Sequence, residues 1–146
     1  MNLTEHFTYE ELTFSEKALR LGIDNKPPTE VNKNLLRLAN FLEEVRKVIA
    51  KPIIIQSGYR SRLVNEAVGS KESSQHRVGC AADFRVPGMT PDEVCRAIIA
   101  SEIQYDQLIR EYDSWVHISI PNNPEWNPRN QTLIIDINSP KGRQFI

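Results

Sequence analysis

Cysteine is scarce in this chain: there are two in 146 residues, and Cys80 and Cys95 offer neither the number nor the spacing of a disulfide framework. Both are read as small buried hydrophobes. Excess charge of either sign is also missing, with 18 Lys and Arg against 19 Asp and Glu. No basic face or tail points to nucleic acid, and no acidic run points to a disordered partner segment. Apolar runs fall well short of the ~20 residues that a membrane span needs. The start, Met1 to His6, lacks the charged beginning and apolar stretch of a secretory signal, so synthesis in the cytoplasm is expected. No internal repeat or low-complexity segment stands out. Histidine is rare as well, and with only three in the chain the place of each is informative.

What is present suits one domain over residues 1–146, long enough to bury a core without staples. Residues 1–28 read as a helical lead-in. Thr8 to Glu11 has the form of a capping box, and Ser15 caps a second short helix that stops at Gly22. Pro27-Pro28 breaks the chain, and from Thr29 apolar residues recur at spacings of three and four (Leu35, Leu38, Leu42, Val45, Ile49), the mark of the main core helix. Pro52 to Ser57 is β-branched and apolar, which predicts a buried strand. Ala81 to Val86 predicts a half-buried strand with Ala82, Phe84 and Val86 on one face and Asp83 and Arg85 on the other. Thr90-Pro91-Asp92-Glu93 opens a helix to about Ala100. Tyr105 to Arg110 and Trp115 to Ile120 form a hairpin about Tyr112-Asp113-Ser114, with Val116, Ile118 and Ile120 inward and Trp115, His117 and Ser119 outward. Residues 121–146 read as a loop, a final edge strand over Thr132 to Ile137, and a tail. The fold class is therefore α+β: a small, mainly antiparallel sheet with helices on one face and chemistry on the other.

His76 lies on the loop before the 81–86 strand, Asp83 emerges from that strand, and His117 leaves the hairpin on the face opposite the core. Two histidines and one aspartate leave the fourth position of a tetrahedral zinc open, which is the catalytic rather than the structural pattern. Cys80 sits between two of these ligands but its direction at the strand's start is undetermined. A hydrolytic site also needs a general base, and Glu111 and Asp113, six and four residues before His117, both qualify by spacing. Arg60, after the first strand, suits binding a carboxylate or a developing oxyanion. Ser74 suits a substrate carbonyl or its own loop. Trp115 is read as a site wall or a cover for the hairpin, and His6 as chemically idle.

Together these residues resemble the zinc D,D-peptidase family, peptidase M15, which includes D-alanyl-D-alanine carboxypeptidases and dipeptidases and phage endolysin peptidases and shares its fold with the hedgehog signalling domain. The likeness rests on Ser74-Gln75-His76-Arg77-Val78-Gly79-Cys80-Ala81-Ala82-Asp83, on Trp115-Val116-His117, and on Arg60 in Ser57-Gly58-Tyr59-Arg60-Ser61, and it extends from the amino-terminal lead-in to about Ile120. It implies one zinc ion per chain, held by His76, Asp83 and His117. The family's usual base position, three residues before the last ligand, holds Ser114, which cannot serve; the six-residue spacing of the hedgehog branch implies Glu111. Arg60 and Ser74 would hold the substrate, with Arg60 also stabilising charge. The implied activity is hydrolysis of bacterial peptidoglycan stem peptides by metal-activated water. Carboxypeptidase and L-alanyl-D-glutamate-type endopeptidase action both occur in the family and stay open. So does a non-enzymatic zinc-binding module or phage structural component of the same fold. A monomer acting on the wall after holin-type release or phage delivery is the expected setting.

Overall fold

Capping chemistry sets the boundaries of the first helices in the computed structural model, which describes residues 1–145. In helix α1 (Tyr9–Thr13) both arms of the capping box are made: Glu11 N donates to Thr8 Oγ1 at 3.1 Å and Thr8 N donates to Glu11 Oε1 at 2.7 Å. Helix α2 (Glu16–Leu21) is capped by Ser15 and ended by the left-handed Gly22. The long helix α3 (Thr29–Ile49) buries Leu35, Leu38, Leu42 and Val45 along one stripe. Helix α5 (Pro91–Ala100), opened by the Thr90–Glu93 box, buries Val94, Cys95 and Ile98 beside it. A short helix α4 (Arg62–Ala67) and a 3₁₀ turn (Gln75–Val78) lie between the first two strands.

The strands are β1 (Ile54–Ser57), β2 (Ala81–Arg85), β3 (Gln107–Glu111), β4 (Trp115–Ser119), β5 (Gln131–Asp136) and β6 (Ser139–Arg143), joined in one sheet of order β1-β2-β4-β3-β5-β6. Helices α3 and α5 cover the face that carries Ala82, Phe84, Leu108, Val116 and Ile118, all fully buried. The α+β class, the mainly antiparallel sheet and the hairpin are as the sequence predicts.

Three local readings need correction. The first strand is not buried: β1 pairs only with β2, so it is an edge, and Ile54 is 38% exposed. The strand at 131–136 is not an edge, and the expected tail is itself a strand. The chain leaves β4 at the end of the sheet where β3 begins, and the 121–130 loop carries it past that end, so β5 starts level with Gln107 and runs parallel to β3. Asn138 N then bonds Asp136 Oδ1 at 3.0 Å, turning the chain into β6. Third, β3 begins at Gln107 rather than Tyr105, because Asp106 turns its carboxylate to Arg129 and Gln75.

Candidate metal centre

Strand pairing alone brings two of the expected ligands together, because Asp83 on β2 is the cross-strand partner of His117 on β4. Both sit on the face opposite the helices. That face is not open, however: the excursion from Gly58 to Cys80 folds over it, leaving Asp83 only 7% and His117 8% exposed. The same excursion delivers His76, the most buried of the three at 2%.

His76 is held by the turn that follows β1. Its Nδ1 lies 2.7 Å from the Gly58 carbonyl oxygen, and Arg60 N donates to the His76 carbonyl at 2.9 Å. Gly58 permits this contact by having no side chain, since a Cβ there would stand 2.3 Å from the Leu12 carbonyl oxygen of α1. At the far end of the 3₁₀ turn, Gly79 adopts φ 77°, and a Cβ would meet Val31 Cγ1 at 2.8 Å. Glycine at 79 thus lets the chain swing from His76 into β2 against helix α3.

The ligand atoms converge as a metal requires. His76 Nε2 stands 3.3 Å and His117 Nδ1 2.9 Å from the same oxygen, Asp83 Oδ1, and all three atoms lie within 4.8 Å of one another. Tetrahedral coordination at bond lengths of about 2.0–2.1 Å separates ligand atoms by roughly 3.3 Å, so the spacing fits zinc. Tautomer chemistry strengthens the fit. A carbonyl can only accept, so His76 Nδ1 carries the proton donated to Gly58, and Nε2 of the neutral ring presents a lone pair to the carboxylate. Burial holds the His76 pKa below its ordinary value despite the attraction of Asp83, which keeps the ring neutral. Burial works against charge on Asp83 too, but positive charge shared with His76 and His117 outweighs that and holds it ionised, well below the usual carboxylate range. Two acceptors facing each other in a dry site call for a cation between them. The carbonyl behind His76 is the outer partner that orients such ligands in metal sites.

Arg60 stands beside the ligand cluster, and the carboxylate it binds is that of a ligand. Its Nη2 donates to Asp83 Oδ2 at 3.2 Å and its Nε to Ser57 Oγ at 3.2 Å. It therefore fixes the carboxylate so that Oδ1 faces the histidines, while still lining the cleft. Ser74 also lines the cleft, and its Oγ accepts from His76 N at 3.3 Å, capping the 3₁₀ turn.

The cleft, about 610 Å³, exposes the ligand cluster together with Glu111, Tyr112 and Trp115. Burial pushes the Glu111 pKa up, Asp83 adds to the rise, and His117 and Arg60 oppose it. The Trp115 indole N–H is buried near that carboxyl and favours its charged form without completing a hydrogen bond. Asp113 points elsewhere: it is exposed, ion-pairs with Arg110 at 3.1 Å, and does not line the cleft. Cys80 lies in the core beneath the site, its thiol pushed up to about 11 by burial, and is no part of the ligand cluster. His6 bonds Glu43 on α3 at 2.7 Å, far along the chain from the cleft residues.

Sequence reasoning missed the Gly58 carbonyl, which has no side chain to notice. It also left Gln75 without a role, though its Nε2 donates to Asp106 Oδ2, the Ile120 carbonyl and Asn122 Oδ1, tying the 3₁₀ turn to the far loop. A family model described as Peptidase M15 matches residues 5–119, which includes all three ligand candidates, Arg60, Ser74 and Glu111. No curated protein matches the chain.

Proposed function

The chain belongs to the peptidase M15 family, and on that footing we propose that it is a zinc-dependent metallopeptidase that hydrolyses the stem peptides of bacterial peptidoglycan. The observation that carries the reading is the neutral imidazole and the carboxylate facing each other 3.3 Å apart, with a second imidazole nitrogen at 2.9 Å. Zinc in that position supplies Lewis-acid polarisation of a carbonyl and a water acidic enough to ionise near neutral pH.

The chain's own residues supply the rest. Asp83 contributes the one negative charge of the ligand set, and Arg60, bound to its other oxygen, sets its orientation. Glu111 takes the proton from the attacking water and returns it to the leaving amine; its raised pKa brings it closer to the range in which a carboxyl exchanges protons at neutral pH. The Trp115 N–H stabilises the Glu111 carboxylate between transfers. Ser74 and the outer N–H groups of Arg60 line the cleft where the peptide backbone would lie. The wall peptide, and delivery to it through a holin-type pore or a phage particle, belong to this proposal. No helix among the described residues is long and apolar enough to cross a membrane.

The half-buried Glu111 carboxyl, its pKa raised by burial beside the ligands, supports the peptidase reading over a binding module of the same fold. The experiment is Glu111→Gln, assayed by mass spectrometry of digested peptidoglycan. Metal content and melting temperature should match the parent, with turnover lower by about 10²- to 10⁴-fold. Asp113→Asn should stay within a few-fold of the parent. Full activity in Glu111→Gln would remove Glu111 from the mechanism, and an inactive parent carrying one zinc would end the peptidase reading.

A further inference from the structure

The cleft does not end at the metal cluster. A second cavity of about 580 Å³ shares Ser74, His117 and Ile135 with it and reaches Arg129. A third, about 270 Å³, shares Ser73, Gln75 and Arg129 with the second. One trough thus runs across the sheet face from the ligands to the 121–130 loop. We propose that Arg129 is a substrate anchor, binding a carboxylate that the peptide carries about three residues from the bond to be cut. The inference rests on the peptidase reading above and adds the recognition of an acidic peptide.

Arg129 is built in as a fixed donor. Its Nε stands 3.1 Å from each oxygen of Asp106, its Nη2 donates to Oδ2 at 2.8 Å, and its backbone N–H donates to Oδ1 at 3.1 Å. Asp106 is itself buried and takes a further bond from Gln75, so its charge is spent inward. The guanidinium is then left with Nη1, which has no protein partner among the described residues, while the side chain is 56% exposed. A planar fork held from behind, with free N–H groups in front, is suited to a carboxylate. Lys71 lines the same cavity, and among the described residues no Asp or Glu lines it.

Register sets the reach. Ile109 lies opposite His117, and Gln107 stands two residues back along β3, ~7 Å by the strand rise. Gln107 pairs with Gln131, two residues after Arg129. The Arg129 backbone therefore lies beyond Gln107, and its guanidinium, bonded to Asp106, comes back to three residues from Ile109, ~10 Å or about three residues of extended peptide. Arg129 also lies beyond residue 119, where the family match ends, so the anchor would belong to this chain's own later segment.

The test is calorimetric binding to the full-length, zinc-loaded chain carrying Glu111→Gln, so that affinity is read apart from turnover. The probes are L-alanyl-γ-D-glutamyl-L-lysyl-D-alanyl-D-alanine, whose glutamyl residue is the third from the terminal D-alanyl-D-alanine bond, and its analogue with the glutamyl α-carboxylate converted to carboxamide. The acid should bind about ten- to a hundredfold more tightly, the range of a hydrogen bond to a charged group. Adding Arg129→Gln should bring the two affinities together by weakening the acid alone. Should Asp106, left unpaired, prevent that variant from folding, Arg129→Lys keeps a cation beside it and should cut the preference at least threefold. Equal affinities in the Glu111→Gln background, no binding of the acid, or a preference untouched by the Arg129 substitution would each overturn the proposal. A chain that prefers the acid yet cleaves neither peptide without the Glu111 change keeps the anchor and loses the peptidase reading.

Discussion

Substituting Gly58 by alanine tests the support behind the metal centre without touching a ligand. The new methyl carbon would stand 2.3 Å from the Leu12 carbonyl oxygen, about an ångström inside ordinary contact. Leu12 O cannot simply retreat, because it accepts from Tyr59 N at 2.8 Å, one residue along from the substitution. Relief therefore separates α1 from the turn after β1, at about 1–3 kcal/mol for overpacking and ~1 kcal/mol for the strained hydrogen bond. A loss of roughly 2–4 kcal/mol is expected in denaturant unfolding of the metal-free protein. The same movement displaces the Gly58 carbonyl from His76 Nδ1, now 2.7 Å away. Loss of such an outer partner weakens metal binding by about 10- to 100-fold, read by competition with a chromogenic chelator. Stability within 0.5 kcal/mol of the parent (about the limit for an innocuous change) together with unaltered zinc affinity would refute the argument that this glycine sets the His76 ring.

Further predictions concern the ligands, the acid limb of stability and the thiols. Purified protein should hold about one zinc per chain; His76→Ala, Asp83→Ala and His117→Ala should each lose it, and chelation should lower the melting temperature of the parent but not of these variants. A parent that stays metal-free with all three residues intact would end the metal assignment. Burial alone would raise the Asp106 pKa, but Arg129 and Gln75 more than offset it, leaving the folded value below the unfolded one. The stabilisation is then complete above an unfolded pKa of about 4 and is lost as pH falls through the folded value. Asp106→Asn should be less stable at neutral pH yet lose less between about pH 5 and 3; identical pH slopes in denaturant titrations would contradict this. Burial pushes the Cys80 thiol up to about 11 and the Cys95 thiol up to about 12, so neither should react with Ellman's reagent in the native protein at pH 8, and both should on unfolding. Rapid native labelling would show that the core beneath the site opens.

By itself the sequence determined the helix boundaries, since Thr8, Ser15, Gly22 and Thr90 act through bonds that span only a few residues. It also determined which face each residue of β2 and β4 presents, because alternation is a property of a single strand. From those two facts, with the resemblance, His76, Asp83 and His117 could be named together. What alternation cannot say is where a strand lies in its sheet. The edge position of β1 and the interior, parallel position of β5 depend on which end of the sheet the chain returns to, a long-range matter that pattern does not encode. Burial of the ligand face was likewise decided by the 58–80 excursion packing over it, which turned apparently exposed polar residues into a dry site. The choice between Glu111 and Asp113 was open by spacing alone. Tertiary structure places one in the cleft and commits the other to Arg110, because the left-handed turn at Tyr112 and Asp113 (φ 52° and 53°) breaks the strand alternation that would have put both on one face. The Gly58 carbonyl and the fixed fork of Arg129 were wholly outside the reach of sequence, since a backbone oxygen carries no residue signature and Arg129 meets Asp106 across 23 positions of chain.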